Sequence, residues 1–416
     1  MGNEPAIVIV GAGEAGTGAA VALREGGWRG MVVLIGNETM LPYERPPLSK
    51  AMLMEETAPR PKLLVTHERL AALEIDYFAG RNVVSIDRAA HTVTLSDGAQ
   101  LGYERLLLTT GARPRQLSIP VAAASRTATL RTYTDALSIR QGIGQGCQVI
   151  VIGGGFIGLE AAASAALRGA SVTVVEAGPR LLMRAVPPPM AELIKATHER
   201  SGVRIETGAT VERIDVNEGR AEVVLAGGRT HLADLVLVGV GVVPNVELAQ
   251  AAGLPVDNGI LLDETLATSD PHIFAAGDCC SFPHRLYGKR IRLEAWRNAQ
   301  RQGATAAANM LGADRPYEEV PWFWSDQYDE TLQIAGLCSE GDVPVARNLG
   351  ATGQLLFYLA ADGRLVAACG FGRLGTIAKE IRFAEMMIGK RLAPKAEELE
   401  DPTVSIKSLL VKLERS

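Results

Sequence analysis

Two glycine-rich segments, 142 residues apart, constrain the fold of this 416-residue chain more than any other feature. The first reads IVIVGAGEAGTGAA from residue 7, and the second reads VIVIGGGFIGLEAA from residue 149. In each, an apolar run leads into glycines spaced GxGxxG and then into alanine-rich sequence, which predicts a strand, a tight turn and a helix. The glycines are Gly11, Gly13 and Gly16 in the first segment and Gly153, Gly155 and Gly158 in the second.

Each glycine of this spacing has a separate physical task at a dinucleotide. The first permits the tight turn, the second admits the pyrophosphate close to the backbone, and the third lets helix and strand pack closely. The helix N-terminus then offers N–H groups and partial positive charge to the phosphates. A single GxGxxG fits an ordinary βα turn about as well as it fits a dinucleotide site. Two of them, each in βαβ context, predict an α/β protein with two Rossmann-like domains that bind two dinucleotides.

Acidic residues at the ends of the following strands bear on cofactor choice. Glu176 ends the strand after the second turn, 23 residues beyond Gly153. A carboxylate there accepts hydrogen bonds from a ribose 2′-hydroxyl and repels a 2′-phosphate, so NADH is preferred over NADPH. Arg180 and Arg184 lie close enough to weaken that preference. After the first turn, Asn37 and Glu38 follow the strand Met31 to Ile35, where an adenosine ribose would lie.

Three more apolar stretches end in glycine and fit the same scheme. Leu106 to Leu108 leads to Thr110 and Gly111, and Leu235 to Val238 leads to Gly241. The third, HIFAAGD, ends in Gly277 and Asp278. A carboxylate at such a strand end can bind a ribityl hydroxyl through charge-assisted hydrogen bonds.

Composition and charge narrow the class of protein. A hydrophobic fraction of 47% with 21% charged residues is typical of a fully folded chain. The net charge of −5 gives no general attraction to nucleic acid or to anionic membranes. Glu4 stands where a signal peptide would carry Lys or Arg, and no apolar run reaches membrane-spanning length. These features predict a soluble cytoplasmic protein that binds neither nucleic acid nor membrane and holds no metal.

Taken together, the motifs resemble those of the FAD-containing, NADH-dependent ferredoxin reductases of bacterial oxygenase systems. The specific matches are LPYERPPLSK at 41–50, Gly277-Asp278, Glu294-Ala295-Trp296, and PWFWSDQ at 321–327. The resemblance implies a fold of the glutathione-reductase type with a smaller α+β C-terminal domain. It divides the chain into an FAD domain at 1–115 and 245–318, an NADH domain at 116–244, and a C-terminal domain at 319–416.

The same resemblance implies the site residues. FAD would be lined by Gly11, Gly13, Ala15, Gly16, Asn37, Glu38, Arg45, Lys50, Val83, Thr110, Gly111, Arg131, Asp278, Glu294, Ala295 and Trp296. NADH would be lined by Gly153, Gly155, Phe156, Ile157, Gly158, Glu176, Arg184 and Gly241. In related flavoenzymes a lysine at the position of Lys50 pairs with a glutamate at that of Glu160 beside flavin N5, which makes these two the catalytic candidates. The chain departs from many relatives at Asn37, where they carry Asp or Glu, and Glu38 is the substitute.

Cysteine positions separate this chain from the disulfide reductases that share the fold. Such enzymes need a redox-active cysteine near the flavin and early in the chain, whereas here none precedes Cys147. Cys279 and Cys280 are adjacent and follow the Gly-Asp motif, and we interpret them as ordinary buried thiols. A metal site formed with His284 is disfavoured because two adjacent cysteines rarely chelate one metal well.

Two surface features allow more than one interpretation. Trp322, Phe323 and Trp324 fit a core position or a place beside the flavin or a partner. Six basic residues between 285 and 301, against the single acid Glu294, fit a ferredoxin-steering patch or a solvated charged face equally well. They are Arg285, Lys289, Arg290, Arg292, Arg297 and Arg301.

The reaction implied by the resemblance begins with hydride transfer from NADH to FAD, which the charge of Lys50 would favour. Single electrons then pass to a 2Fe–2S ferredoxin that feeds a cytochrome P450 or a Rieske-type oxygenase. Alternatives are an NADH-binding flavoprotein with an interaction role, resembling apoptosis-inducing factor, and a reductase of rubredoxin or monodehydroascorbate. A monomer or weak homodimer is expected.

Overall fold

The computed structural model describes residues 6–55 and 59–415. Its strands, numbered along the chain, are β1 Ala6–Val10, β2 Met31–Ile35, β3 Ile75–Phe78, β4 Val83–Asp87, β5 Thr92–Leu95, β6 Gln100–Gly102, β7 Arg105–Leu108, β8 Ala112–Pro114, β9 Thr127–Ala128, β10 Gln148–Ile152, β11 Ser171–Glu176, β12 Arg204–Thr207, β13 Val211–Asn217, β14 Arg220–Leu225, β15 Thr230–Ala233, β16 Leu235–Val238, β17 Val242–Pro244, β18 Ile260–Leu261, β19 Ile273–Ala275, β20 Cys280–His284, β21 Lys289–Ile291, β22 Trp322–Gln327, β23 Glu330–Gly336, β24 Val343–Asn348, β25 Gly353–Leu359 and β26 Leu365–Arg373.

The α-helices are α1 Glu14–Glu25, α2 Ala51–Met54, α3 His67–Ala72, α4 Tyr133–Gly142, α5 Phe156–Leu167, α6 Pro188–Arg200, α7 Glu247–Ala251, α8 Trp296–Met310, α9 Ala378–Gly389, α10 Ala396–Glu400 and α11 Ile406–Leu413. Short 3₁₀ helices lie at Pro46–Ser49, Ala124–Arg126, Cys338–Glu340 and Gly350–Thr352.

The chain divides into two compact units. Unit 1 comprises the described residues up to Glu44, Pro61–Arg113 and Val243–Glu319, and unit 2 comprises Arg45–Arg60, Pro114–Val242 and the residues from Val320 onward. The segment Arg45–Arg60 thus groups with unit 2 rather than with the first nucleotide-binding unit. The division into three domains at the boundaries given above stays a prediction.

Unit 1 is built on a five-stranded parallel sheet in the order β19-β7-β1-β2-β3. β1 is apolar and buried along its whole length and β7 is so after Arg105, as expected for a parallel sheet covered on both faces. Helix α1 connects β1 to its parallel neighbour β2 and packs against α8. Two three-stranded sheets, β4-β5-β6 and β18-β20-β21, complete the unit.

Unit 2 contains a second five-stranded parallel sheet, in the order β12-β11-β10-β16-β9. Helix α5 joins β10 to its parallel neighbour β11, repeating the βαβ arrangement of unit 1. The unit also holds the three-stranded sheet β13-β14-β15 and an antiparallel sheet in the order β22-β23-β26-β25-β24, on which α9 packs. The predicted α/β class with two Rossmann-like folds and an α+β C-terminal part is therefore confirmed.

Candidate functional sites of the two units

The first glycine turn, in unit 1, has the geometry that a bound diphosphate requires. Gly11 has φ +113°, and a Cβ on it would lie 2.2 Å from the Thr109 carbonyl oxygen. A Cβ on Gly16 would lie 1.9 Å from the Gly11 carbonyl oxygen, so only glycine lets α1 pack this closely. At Gly13, the N-cap of α1, a Cβ would meet nothing within 4 Å. The turn is an open cradle at a helix N-terminus and fits the phosphates of a dinucleotide.

Five other FAD candidates in unit 1 lie at the same edge of the parallel sheet, because the carboxyl ends of parallel strands meet there. They directly follow the neighbouring strands: Asn37 and Glu38 after β2, Thr110 and Gly111 after β7, and Asp278 after β19. The Tyr43 hydroxyl donates to a Glu38 carboxylate oxygen at 2.5 Å, so Glu38 is already oriented by this loop. The Gly277 N–H donates to the Gln302 side-chain oxygen at 2.8 Å.

The remaining FAD candidates occupy other positions. Ala15 lies in the first turn of α1, Glu294 precedes α8, Ala295 is its N-cap, and Trp296 is its first residue. Val83 begins β4 in a separate sheet. Arg45, Lys50 and Arg131 belong to unit 2, where Arg45 donates to the Arg131 carbonyl oxygen at 2.6 Å. The assignment of these residues to FAD stays a prediction.

Glu14 is a residue of this turn that the sequence interpretation missed. It is the first residue of α1, and burial together with the nearby Glu44 raises its pKa to about 7. Trp296 and Gln300 hydrogen-bond its carboxyl group and partly oppose that shift. The sequence could have indicated Glu14, because it is an acid directly after Gly13, where phosphates are expected to bind.

The second glycine turn, in unit 2, repeats the first. Gly153 has φ +105°, and a Cβ on Gly158 would lie 2.2 Å from the Gly153 carbonyl oxygen. Gly155 is the N-cap of α5, and its nearest potential Cβ contact is a carbonyl oxygen at 3.8 Å. Phe156 and Ile157 form the first turn of α5, and Ile157 is 47% exposed. This turn also fits a diphosphate.

Glu176 ends β11 beside the second turn, as predicted. One carboxylate oxygen accepts the Gly154 N–H at 2.7 Å and the other accepts the Gly178 N–H at 2.6 Å. Arg180 donates to the carbonyl oxygens of residues 181, 183 and 186, so its guanidinium is committed to its own loop. A Cβ on Gly241 would lie 3.3 Å from the Arg184 guanidinium, which places these two NADH candidates together.

The ion pair expected from the resemblance is present within unit 2. Lys50 Nζ lies 2.8 Å from Glu160 Oε2, and Glu160 is only 5% exposed. Two prolines begin the 3₁₀ turn Pro46–Ser49, and Lys50 follows directly as its C-cap. The Ser49 hydroxyl donates to the same carboxylate oxygen at 2.5 Å. A buried carboxylate needs such partners because its desolvation is otherwise too costly.

The second oxygen of Glu160 has a donor that the sequence interpretation also missed. The Ser325 hydroxyl donates to Glu160 Oε1 at 2.6 Å, so a residue of the C-terminal sheet reaches the catalytic candidate. Ser49 and Ser325 both fall inside motifs quoted for the resemblance. Their roles could not be read from one sequence, because nothing local links residues 49, 160 and 325.

The aromatic residues 322–324 make ring contacts, and the adjacent cysteines 279 and 280 lie in the core. Trp322 and Trp324 are half-buried and stack at 5.3 Å between ring centroids, while Phe323 packs edge-on against Phe156 at 5.2 Å. Cys279 and Cys280 are fully buried with their sulfur atoms 3.7 Å apart, as expected of buried thiols. Within residues 6–55 and 59–415, no group of three or more His, Cys, Asp or Glu side chains could hold a metal ion.

Several residues of the basic run are engaged within unit 1. Arg285 pairs with Glu264 at 2.7 Å and Glu318 at 2.8 Å, and Arg292 pairs with Glu294 at 2.7 Å. The Arg290 guanidinium donates to two backbone carbonyl oxygens. Arg297 and Arg301 lie four residues apart on α8 and therefore share a face of that helix. The net positive charge of this segment is therefore smaller than its six basic residues suggest.

Two parallel sheets, each with a GxGxxG turn at its carboxyl edge, define the class of oxidoreductases that bind two dinucleotides. Residues 5–303 match the family described as pyridine nucleotide-disulphide oxidoreductase, and residues 322–410 match that described as reductase C-terminal. The chain belongs to the pyridine nucleotide-disulphide oxidoreductase family. The predicted enzyme class and the predicted cofactors, FAD and NAD(H), are confirmed with it.

Relatives of known activity include reductases of small electron carriers. The chain is 41% identical over 411 residues to the ferredoxin–NAD(+) reductase component of the anthranilate 1,2-dioxygenase system of Burkholderia cepacia, covering 99% of this chain and 100% of the relative. It is 38% identical to a rubredoxin–NAD(+) reductase of Pseudomonas putida, covering 87% and 94%. A solved covalent complex of putidaredoxin reductase with putidaredoxin matches with TM-score 0.94 and 37% identity, covering all of both chains.

No helix among the described residues is long and apolar enough to cross a membrane.

Proposed function

We propose that this protein takes a hydride from NADH onto FAD and passes the two electrons singly to a 2Fe–2S ferredoxin that supplies a P450 or Rieske-type oxygenase. The observation that carries the proposal is the buried Lys50–Glu160 ion pair, in a chain with two dinucleotide turns and without an early redox cysteine. A disulfide reductase would need a thiol where the PPLSK segment has none. The surrounding residues are instead arranged for electron transfer without covalent chemistry.

The reaction balances as NADH plus two oxidised ferredoxins giving NAD⁺, one proton and two reduced ferredoxins. FAD, when bound, supplies the ability to accept two electrons at once and release them one at a time. The protein's part is to bind and orient. The glycine turns hold the two diphosphates, Glu176 accepts hydrogen bonds from the NADH ribose, and Lys50 places a positive charge that favours the electron-rich state.

The proposal is tested by anaerobic titration of the FAD-loaded protein with NADH and with NADPH. NADH should bleach the visible flavin band faster than NADPH. Glu176→Ala should lower the ratio of the NADH rate to the NADPH rate by about tenfold, because a repulsion of roughly 1.4 kcal/mol against the 2′-phosphate is removed. Glu212→Ala, at an exposed acid of β13, is the matched control and should leave the ratio unchanged. A flavin that NADH does not bleach would refute the hydride step.

Rubredoxin is the second candidate acceptor, supported by the 38% identity to a rubredoxin–NAD(+) reductase. The two acceptors are separated by steady-state reduction of a 2Fe–2S ferredoxin and of rubredoxin at equal concentration and physiological salt. A larger kcat/KM for the ferredoxin is the expected result. A larger value for rubredoxin would replace the proposed acceptor while leaving the NADH step intact.

A further inference from the structure

One strand of the C-terminal sheet reaches three side chains of the nucleotide-binding part of unit 2. Residues 323, 325 and 327 alternate onto one face of β22. Phe323 contacts Phe156 of α5, Ser325 donates to Glu160 of α5, and the Gln327 side-chain oxygen lies 2.7 Å from His198 Nε2 of α6. Phe156 and Glu160 are four residues apart and so lie on the same face of α5.

Polar side chains at this contact form a continuous chain of hydrogen bonds that begins at the half-buried Tyr328 and ends on Glu160. Its links are the Tyr328 hydroxyl to His198 Nδ1 at 3.1 Å, His198 Nε2 to Gln327 Oε1 at 2.7 Å, Gln327 Nε2 to Ser325 Oγ at 3.0 Å, and Ser325 Oγ to Glu160 Oε1 at 2.6 Å. His198, Ser325 and Gln327 are each at most 5% exposed. A polar network buried to this extent is stabilising only when its members are satisfied.

Along these hydrogen-bonded side chains, the donor and the acceptor of each bond can be assigned. The amide oxygen of Gln327 can only accept, so His198 donates from Nε2 and its Nδ1 accepts from Tyr328. Burial lowers the pKa of His198 and raises that of Tyr328 to about 12, so both are neutral at pH 7. Every donor then points toward the Glu160 carboxylate. Hydrogen bonds aligned in this way polarise one another and stabilise the negative charge at their end.

We propose that Ser325, supported by Gln327 and His198, is a positioning residue that orients the Glu160 carboxylate for its ion pair with Lys50. This inference rests on the proposed function, because it assigns the ion pair to the hydride-transfer site. Gln327 makes the chain an orienting device rather than a proton path, since an amide does not relay a proton without changing tautomer. Lys50 and Ser49 hold one oxygen of the carboxylate, and the chain from β22 holds the other.

The test compares flavin reduction by NADH in stopped-flow measurements on FAD-loaded variants. Ser325→Ala should lower the limiting rate about tenfold, equivalent to about 1.4 kcal/mol, with little change in the NADH concentration for half-saturation. Ser325→Thr keeps the hydroxyl and should restore most of the rate. Thr331→Val is the matched control: it removes a buried hydroxyl of β23 that has no hydrogen-bond partner among the described residues, and it should leave the rate unchanged.

A double-mutant cycle tests the chain itself. His198→Leu should lower the limiting rate when Ser325 is present and have no further effect when Ser325 is already Ala, because the link to Glu160 is then broken. The flavin midpoint potential should become more negative in Ser325→Ala, since the carboxylate loses a donor that offsets its charge. Should Ser325→Ala fail to hold FAD, Ser325→Cys, a near-isostere and poor donor, is measured in its place.

Each outcome decides one proposal. Wild-type rates and potential in Ser325→Ala, or additive losses in the cycle, would overturn the positioning role while NADH still reduces the wild-type flavin. A slower Ser325→Ala that Ser325→Thr does not restore would also overturn it, because the hydroxyl would not be the cause. A wild-type protein that NADH does not reduce would instead overturn the proposed function.

Discussion

At the scale of single residues, the two acids beside the dinucleotide turns behave differently because their surroundings differ. Glu176 accepts two backbone N–H groups, one on each carboxylate oxygen. Glu14 is half-buried near the acid Glu44, and its pKa is raised to about 7. A carboxyl group that is half protonated near neutral pH repels an incoming diphosphate less than a fully ionised carboxylate would.

The raised pKa of Glu14 predicts a pH-dependent stability. Its pKa is higher in the folded protein than the ordinary value of 4.5, so the folded state binds the proton more tightly. Stability is therefore lost as the pH rises from 4.5 through 7 and is constant above that. Glu14→Gln mimics the protonated form and should stabilise the apoprotein at pH 8 by about 1–2 kcal/mol, after allowance for solvent screening.

Thermal unfolding of the apoprotein at pH 5.5 and pH 8 measures this effect. The melting temperature of Glu14→Gln should exceed that of the wild type by about 1–2 °C at pH 8 and by less at pH 5.5. Glu25→Gln, at the exposed end of the same helix, is the control and should show no such pH dependence. An equal difference at both pH values would show that ionisation of Glu14 is not its cause.

At the scale of elements, α1 contains two glycines, two residues apart, that differ in the space available for a side chain. A Cβ on Gly16 would meet a backbone oxygen at 1.9 Å, whereas a Cβ on Gly18 would meet nothing within 4 Å. Gly16→Ala must push α1 away from β1 and should destabilise the protein by several kcal/mol and abolish FAD retention. Gly18→Ala should stabilise it by up to about 1 kcal/mol through helix propensity.

These two variants are compared by chemical denaturation and by the flavin content after purification. Because both add one methyl group to the same helix, any difference between them reports the close approach of α1 to the turn. Equal effects from the two substitutions would contradict the packing role of Gly16.

At the scale of the whole molecule, the proposed function predicts a local positive surface on this acidic protein wherever a negatively charged ferredoxin docks. Arg297 and Arg301 share one face of α8, so we test that face as the local positive surface. Replacing both by Glu should slow ferredoxin reduction at least about tenfold at low salt and less at high salt, because steering is electrostatic. NADH-to-ferricyanide turnover should not change.

The control for this prediction is a double variant with the same change of net charge elsewhere, Arg213→Glu with Arg229→Glu, at exposed positions of β13 and the β14–β15 turn. It should affect ferredoxin reduction much less. Equal slowing of ferredoxin and ferricyanide reduction would instead point to damage at the NADH or FAD site.

The amino-acid sequence by itself determined the two βαβ units, the glycine turns and Glu176, because each depends on residues within about 25 positions of one another. The absence of an early cysteine, also a property of the sequence alone, separated this chain from disulfide reductases of the same fold. The Lys50–Glu160 pair came from resemblance, since no local pattern joins two residues 110 positions apart.

Only the tertiary structure decided what surrounds Glu160. Ser49, Ser325, Gln327 and His198 come from three separate elements, a 3₁₀ helix, β22 and α6, and their hydrogen bonds exist because these elements and α5 pack together in unit 2. The commitment of Arg180 to its own loop and the raised pKa of Glu14 likewise depend on neighbours that fold brings close. Burial and long-range contact set these properties, and neither is written in local sequence.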